Sequence, residues 1–355
     1  MESEKRIKYI DSLRGFALIL VVLGHVVVGY MYANFNLDAN GIYWNIYNAI
    51  YTFHMPLLMV VSGYLYHKSY FGQGEFKKDR FFRHLLNMVY VYILFSFLTG
   101  GLKIVFSAAV REKVDWSDLK GIFIRPIAPF WYIYILVIYY VVFIAFEYIA
   151  DKLKDRSVWF MWGLFAGLAA VSVISMNFHD SREASPFEIF HLMFYGLFFW
   201  MGIMYARRDE LFLFKAVPAA VLFIIGIGLC VYLWRVNGLT YITYTFGYST
   251  AVAVCLIPGI WYVFERFVPA EKTRLLNIIG SHSLEIYVMH TVFTSAIRFA
   301  FKKAEYYQPI VTIVVNLLIS LFVPLLIAIV LEKIKLHRWV FRPFVKNRNN
   351  RLDDR

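Results

Sequence analysis

Charge is scarce in this chain. Only 17% of its 355 residues are Asp, Glu, Lys or Arg, against roughly 25% in soluble proteins. So few charges cannot cover a surface of this size in water. Cysteine is scarcer: Cys230 and Cys255 are the only two. Both lie in apolar runs and neither forms a C-x-x-C pair, which argues against a disulfide framework or structural zinc and leaves them as packing residues. No H-E-x-x-H and no Walker-type glycine loop is present, so no metal site is expected. Glycines are scattered along the apolar runs, as helix packing in membranes uses them. A long polar stretch is also missing, so no separate soluble domain is expected. The first apolar run, about 12–32, is longer than a signal-peptide core and no A-x-A-like site follows it. It is expected to stay as a helix.

Apolar residues are what the chain has, at 60%, with 19% aromatic. Many aromatics sit near the ends of the runs, as interfacial anchors do. The runs reach about 20 residues, enough to cross roughly 30 Å of hydrocarbon as helix. They are continuous rather than alternating, which argues for helices and against a β-barrel. Ten runs stand between polar breaks, at about 11–32, 46–66, 85–106, 130–150, 157–176, 187–206, 214–234, 243–264, 278–298 and 309–332. The expected fold is an all-α polytopic membrane protein with about ten transmembrane helices. Residues 1–335 would form the membrane domain and 336–355 a basic cytoplasmic tail.

The formal net charge of +12 is spread over short loops. Orientation and anionic lipid account for it better than nucleic acid does. With the N-terminus inside, 25 Lys and Arg residues fall in segments on the inner side and 9 on the outer side. That bias places both termini in the cytoplasm. The loop 107–129 runs against it, with Arg111, Lys113, Lys120 and Arg125 assigned outside.

Ionisable groups within membrane helices are costly and tend to face a protein interior or a wet cavity. Arg14 lies one turn inside the first run, and His25 follows eleven residues later. Eleven steps of 100° return to the same helix face, about 16 Å further along the axis. In the second run, His54 reaches a depth similar to His25, about 10–12 Å from the outer surface by the same rise. Two imidazoles at one level suit a shared cavity, and a neutral imidazole suits a general base. The competing reading of His54 is a cap on a backbone carbonyl near Pro56. Arg80 and Arg83 share a face at the entrance to the third run, as boundary anchors or as a phosphate clamp. Asp11 stands one turn before Arg14, as its partner or as a helix N-terminal acid. In the ninth run His282, Glu285, Tyr287 and His290 are packing residues or cavity lining.

Taken in order, these segments resemble the acyltransferase 3 family of bacterial integral-membrane acyltransferases. "YIDSLRGFALILVVLGH" is similar to the family's opening motif, an Arg or Lys followed by ten residues and a His. "FHMPLLMVVSGY" resembles its second-span motif, and "DRFFRHL" its paired-arginine element. "PFWYIYILVIYY", with Trp131, resembles the fourth-span motif, and "GSHSLEIYVMH" the segment near the end. These stretches span residues 9–290, and ten helices is the family's usual number.

The resemblance implies an O-acetyltransferase-like enzyme in the bacterial plasma (inner) membrane. It would move an acyl group, most often acetyl, from cytoplasmic acyl-CoA to a hydroxyl of a cell-surface or lipid-linked glycan. Acyl-CoA would be a co-substrate, with no tightly bound cofactor. Carried over by position, His25 would be the catalytic histidine and Arg14 its motif partner, with Arg80 and Arg83 beside the donor. Asp11, His54, Trp131, Glu285, Tyr287 and His290 would line the cavity. Some members add a C-terminal extracytoplasmic esterase-like domain. This sequence ends in "KNRNNRLDDR", so a second activity would come from a partner protein. The competing classes are an exporter or flippase of a polysaccharide or lipid-linked sugar, and a non-catalytic membrane sensor. A transporter favours an internal repeat, and the "RGF…H" and "MPL…SG" patterns occur once each.

Overall fold

A computed structural model describes residues 2–33, 35, 41–72, 75–108, 110, 113–176, 186–207, 212–236, 248–269 and 272–344, without the side chains of 2–8, 155, 233, 234 and 236. All its regular structure is helical among the described residues. Ten long helices run through the chain. They are α1 (Glu2–Met31), α2 (Ile42–Tyr70), α3 (Lys78–Val105), α5 (Trp131–Lys152), α6 (Ser157–Met176), α7 (Ile189–Arg207), α8 (Ala216–Val236), α9 (Tyr248–Phe267), α11 (Ser283–Lys303) and α12 (Pro309–Lys333). Three short ones, α4 (Trp116–Lys120), α10 (Arg274–Ser281) and α13 (His337–Phe341), join them.

Eight of the long helices are long and apolar enough to cross a membrane, and α8 is apolar over Ala216–Tyr232. The tenth, α11, carries buried Glu285, His290 and Arg298. Its polarity faces protein, which is how a membrane helix tolerates such groups. The run expected at 278–298 is broken: backbone angles of −105° and 24° at His282 separate α10 from α11. Residues 243–247 of the eighth run and 345–355 of the tail lie outside the described residues.

Two backbone-to-backbone crossings order the bundle. A Cβ on Gly280 would stand 1.8 Å from the carbonyl oxygen of Asp11, and one on Gly15 2.2 Å from that of Leu276. So α1 lies directly on α10. In the same way α2 lies on α7, where a Cβ on Gly63 would stand 1.9 Å from the carbonyl oxygen of Phe199. Lipid gives helices no hydrophobic reason to associate, and close approach through small residues supplies the dispersion contacts instead.

The loop after α3 folds inward. Leu119, Ile122, Ile127 and Phe130 are buried. Lys103 Nζ donates to the Ala128 carbonyl at 2.8 Å, and Tyr134 Oη to that of Phe123 at 2.8 Å. Tyr92 and Tyr287 donate to the carbonyls of Ile122 and Pro129. These side chains tie part of an irregular backbone to the bundle, while Lys120 and Arg125 stay exposed.

Gly280→Ala should force α1 from α10 and cost about 1–3 kcal/mol, as overpacking does. The thermal unfolding midpoint in detergent reads it. Gly163→Ala, with nothing within 4 Å of the new Cβ, should change that midpoint little.

Candidate active site

The site begins where α1 meets α10. Ser12 Oγ donates to Asn277 Oδ1 at 2.6 Å and stands 2.8 Å from Thr273 Oγ1. Two residues on, the Arg14 guanidinium lies 3.5 Å from Asp11 Oδ1 and donates to Ser283 Oγ at 2.5 Å. Asp11 is thus a neighbour of Arg14, as its spacing suggests. Three turns further, the His25 ring lies 5.1 Å from that of His290. Ser283 and His290 both belong to α11, so the face shared by Arg14 and His25 is the face α1 turns toward α11.

His290 is fully buried. Its Nδ1 lies 2.7 Å from the Tyr287 carbonyl oxygen. A carbonyl only accepts, so Nδ1 carries the hydrogen, and in the neutral ring Nε2 keeps its lone pair. That Nε2 is buried without a hydrogen-bond partner among the described residues, as is Thr291 Oγ1. Between the levels of Arg14 and His25 stand hydroxyl groups: Ser62 Oγ lies 2.8 Å from Tyr132 Oη, and the Tyr132 ring lies 5.4 Å from that of Tyr287. Tyr132 and Tyr140 lie within electrostatic reach of Arg14.

His54 takes the capping reading. Its Nδ1 donates to the Ile50 carbonyl at 2.7 Å, one turn back on α2, and Thr52 Oγ1 does the same to Asn48 at 2.8 Å. Both bonds lie in the two turns before Pro56, which takes the amide donor away from the Thr52 carbonyl. Trp131 meets Tyr132 edge-on, with ring centres 6.3 Å apart. It lies parallel to His191, with ring centres 4.4 Å apart, and beside Tyr195 at 5.2 Å. His191 pairs in turn with Glu188.

Glu285 stands apart from the imidazole pair as well, on the first turn of α11 near Arg14. It is buried, with Oε1 2.7 Å from His337 Nε2 and 3.9 Å from Arg342 Nη2. Its Oε2 has no hydrogen-bond partner among the described residues. His337 and Arg342 come from the chain after α12, which turns back under the bundle. Phe341 of α13 stacks on Phe95, Tyr90 donates to the Trp339 carbonyl, and the Phe344 amide donates to Asn87 Oδ1 at 3.1 Å.

Between α3 and this returning chain lies His84. Arg342, Arg14 and Arg80 lie within electrostatic reach of it. Arg83 is half-buried on the same turn of α3, and His84 itself keeps an exposed surface. Its position was visible in sequence, four residues after Arg80 and so on the same face. Arg342 and His337 gave no such signal, because no periodicity tells that a tail folds back.

A second buried ionic group ties α2, α5 and α7 together at the same end. Glu147, fully buried, accepts from His67 Nδ1 at 2.7 Å and pairs with Arg207, which reaches Asp151 at 2.5 Å. Each charge has a partner, as burial demands.

Comparison with known proteins agrees with this architecture. The family model described as an acyltransferase domain, of the acyltransferase 3 type, matches residues 7–332. The inner membrane protein YcfT of Escherichia coli (strain K12) is 24% identical over 308 residues, covering 80% of this chain and 78% of that protein. The nodulation protein NolL of Sinorhizobium fredii (strain NBRC 101917 / NGR234) is 46% identical over 55 residues, 16% of this chain and 14% of that protein. No solved structure matches. A family model that takes in almost the whole chain, on a scaffold of long apolar helices, leads to one conclusion: this multi-pass protein of the plasma membrane belongs to the acyltransferase 3 family of membrane acyltransferases.

Proposed function

We propose that the protein moves an acyl group, most often acetyl, from cytoplasmic acyl-CoA to a hydroxyl of a cell-surface or lipid-linked glycan, with His25 as general base. What supports this reading above all is the pairing of α1 with α11. Arg14 meets Ser283 at one level and His25 meets His290 at another, about 16 Å apart along α1. A guanidinium near one end suits the phosphates of coenzyme A. An imidazole pair at the far end of the span suits the thioester, carried there on a flexible arm. Both termini and the Arg14–Arg80–Arg342 end would face the cytoplasm, following the bias in Lys and Arg.

In this scheme His25 takes the proton of the acceptor hydroxyl as its oxygen adds to the thioester carbonyl. The tetrahedral intermediate then expels the coenzyme A sulfur, and the carbon–sulfur bond breaks. The imidazolium returns its proton to the departing thiolate, so base and acid are one residue. His290, its Nδ1 already given to a carbonyl, supplies a neutral Nε2 lone pair beside that exchange. The hydroxyls of Ser62, Tyr132 and Tyr287 would line the path of the arm and offer partners to its amide groups.

Mass spectrometry of surface glycans with and without the gene tests the reading; one acyl mass on a defined sugar is expected only with it. His25→Ala should lower transfer about a hundred- to ten-thousand-fold with membrane insertion unchanged, measured by the same spectrometry and by immunoblot of the membrane fraction. Arg14→Ala should raise the KM for acetyl-CoA more than it lowers kcat, checked by steady-state kinetics on membranes. For orientation, Tyr32→Cys in a background where Cys230 and Cys255 are serine should react with an impermeant maleimide in intact cells. Protection until lysis would invert the assignment of sides.

A further inference from the structure

Arginines from distant parts of the chain gather at one end of the bundle. Arg14 of α1 donates to Ser283 at the head of α11, and Arg342, from the chain after α13, lies 3.9 Å from Glu285 two residues further along. Arg80, at the start of α3, stands one turn before His84, which is within electrostatic reach of all three. Like charges gathered at the edge of a low-dielectric region repel one another unless an anion joins them. The protein's own anions there are few. Asp11 stays beside Arg14 at 3.5 Å, Glu285 gives its Oε1 to His337 at 2.7 Å while Arg342 waits at 3.9 Å, and Glu332 lies 3.6 Å from His282 and 3.9 Å from His337. The Arg342 side chain is 55% exposed, so its donors are open to a ligand.

We propose that Arg342 is the third arm of the donor site and, with Arg14 and Arg80 around His84, holds the phosphates of the nucleotide half of coenzyme A. This rests on the reading of the protein as an acyl-CoA-dependent transferase. Coenzyme A carries a diphosphate and a 3′-phosphate, a multiply charged anion that one arginine cannot balance. The planar guanidinium fork matches phosphate oxygens two at a time, which favours arginine over lysine here.

The packing shows why a residue so near the chain's end can take this part. The backbone on both sides of Arg342 is anchored: Phe341 is buried against Phe95, and the Phe344 amide is held by Asn87. Asn87 lies three residues after His84 on α3, so the returning chain docks one turn from the imidazole itself. Glu285 secures α13 through His337 and acts as a positioning residue. A freely solvated basic tail would have none of these contacts.

Calorimetric titration of the purified full chain in detergent tests the assignment, with coenzyme A and pantetheine as the two probes. Arg342→Gln should weaken coenzyme A binding about tenfold, the loss of one charge-assisted contact to phosphate. Arg342→Lys should recover part of it. Pantetheine, which has the arm but no phosphate, should bind the wild type and both variants alike. An unchanged thermal midpoint shows that each variant is folded. Equal coenzyme A affinity in wild type and Arg342→Gln would overturn the assignment while leaving the acyl-CoA reading intact. So would a parallel loss of both probes. A wild type that fails to bind coenzyme A removes the acyl-CoA reading, and the assignment with it.

Discussion

Everything in the site hangs on the contact between α1 and α10, where Gly15 and Gly280 let two backbones touch. No side chain cushions that contact, so the position of α1 cannot drift. Ser12 is locked to Asn277, and Arg14 reaches Ser283 at the head of α11. Since α10 and α11 are joined through His282, fixing α1 on α10 also fixes it along α11. His25 and His290 then meet three turns up, ring beside ring. The precision of the deep pair is inherited from a crossing near the opposite end of the helix.

The polar groups divide into two levels with different demands. Near the end where the chain begins, guanidinium groups, carboxylates and imidazoles form networks in which charge meets charge. Around the level of His25 three groups are satisfied locally by backbone carbonyls: His54 by Ile50, His290 by Tyr287 and Tyr287 by Pro129. That gradient follows from the cost of charge in hydrocarbon. In the proposed reading it also separates tasks: strong electrostatics where an anion would be held, and imidazoles where proton exchange would need a base.

Much of this was legible in the sequence, because membrane helices obey a simple arithmetic. Spacing alone put Arg14 and His25 on one face, and both do face α11. The apolar runs marked ten long helices, though not the break at His282, which no proline or charge announces. Spacing also gave His54 the depth of His25, but depth does not fix direction, and its ring turns to its own helix. Glu285 lies in a matching motif yet meets His337 and Arg342, since a motif says nothing about which neighbour its side chain meets. What was illegible is tertiary: the inward fold of the loop after α3 and the return of the chain after α12. Arg342 read as one more charge in a basic tail, and only packing against Asn87, Phe95 and Glu285 distinguishes it.

The separation of Arg14 from His25 has an electrical consequence. In the proposed cycle the phosphates of the donor stay at the level of Arg14, and only an uncharged arm and its acyl group travel inward along α1. The proton leaves with a neutral thiol. Carrying each phosphate charge across the bilayer would cost or release about 2.3 kcal/mol per 100 mV. With the charge parked at the edge, the turnover is electroneutral. In that cycle the membrane voltage would add nothing to the net driving force for transfer and take nothing from it.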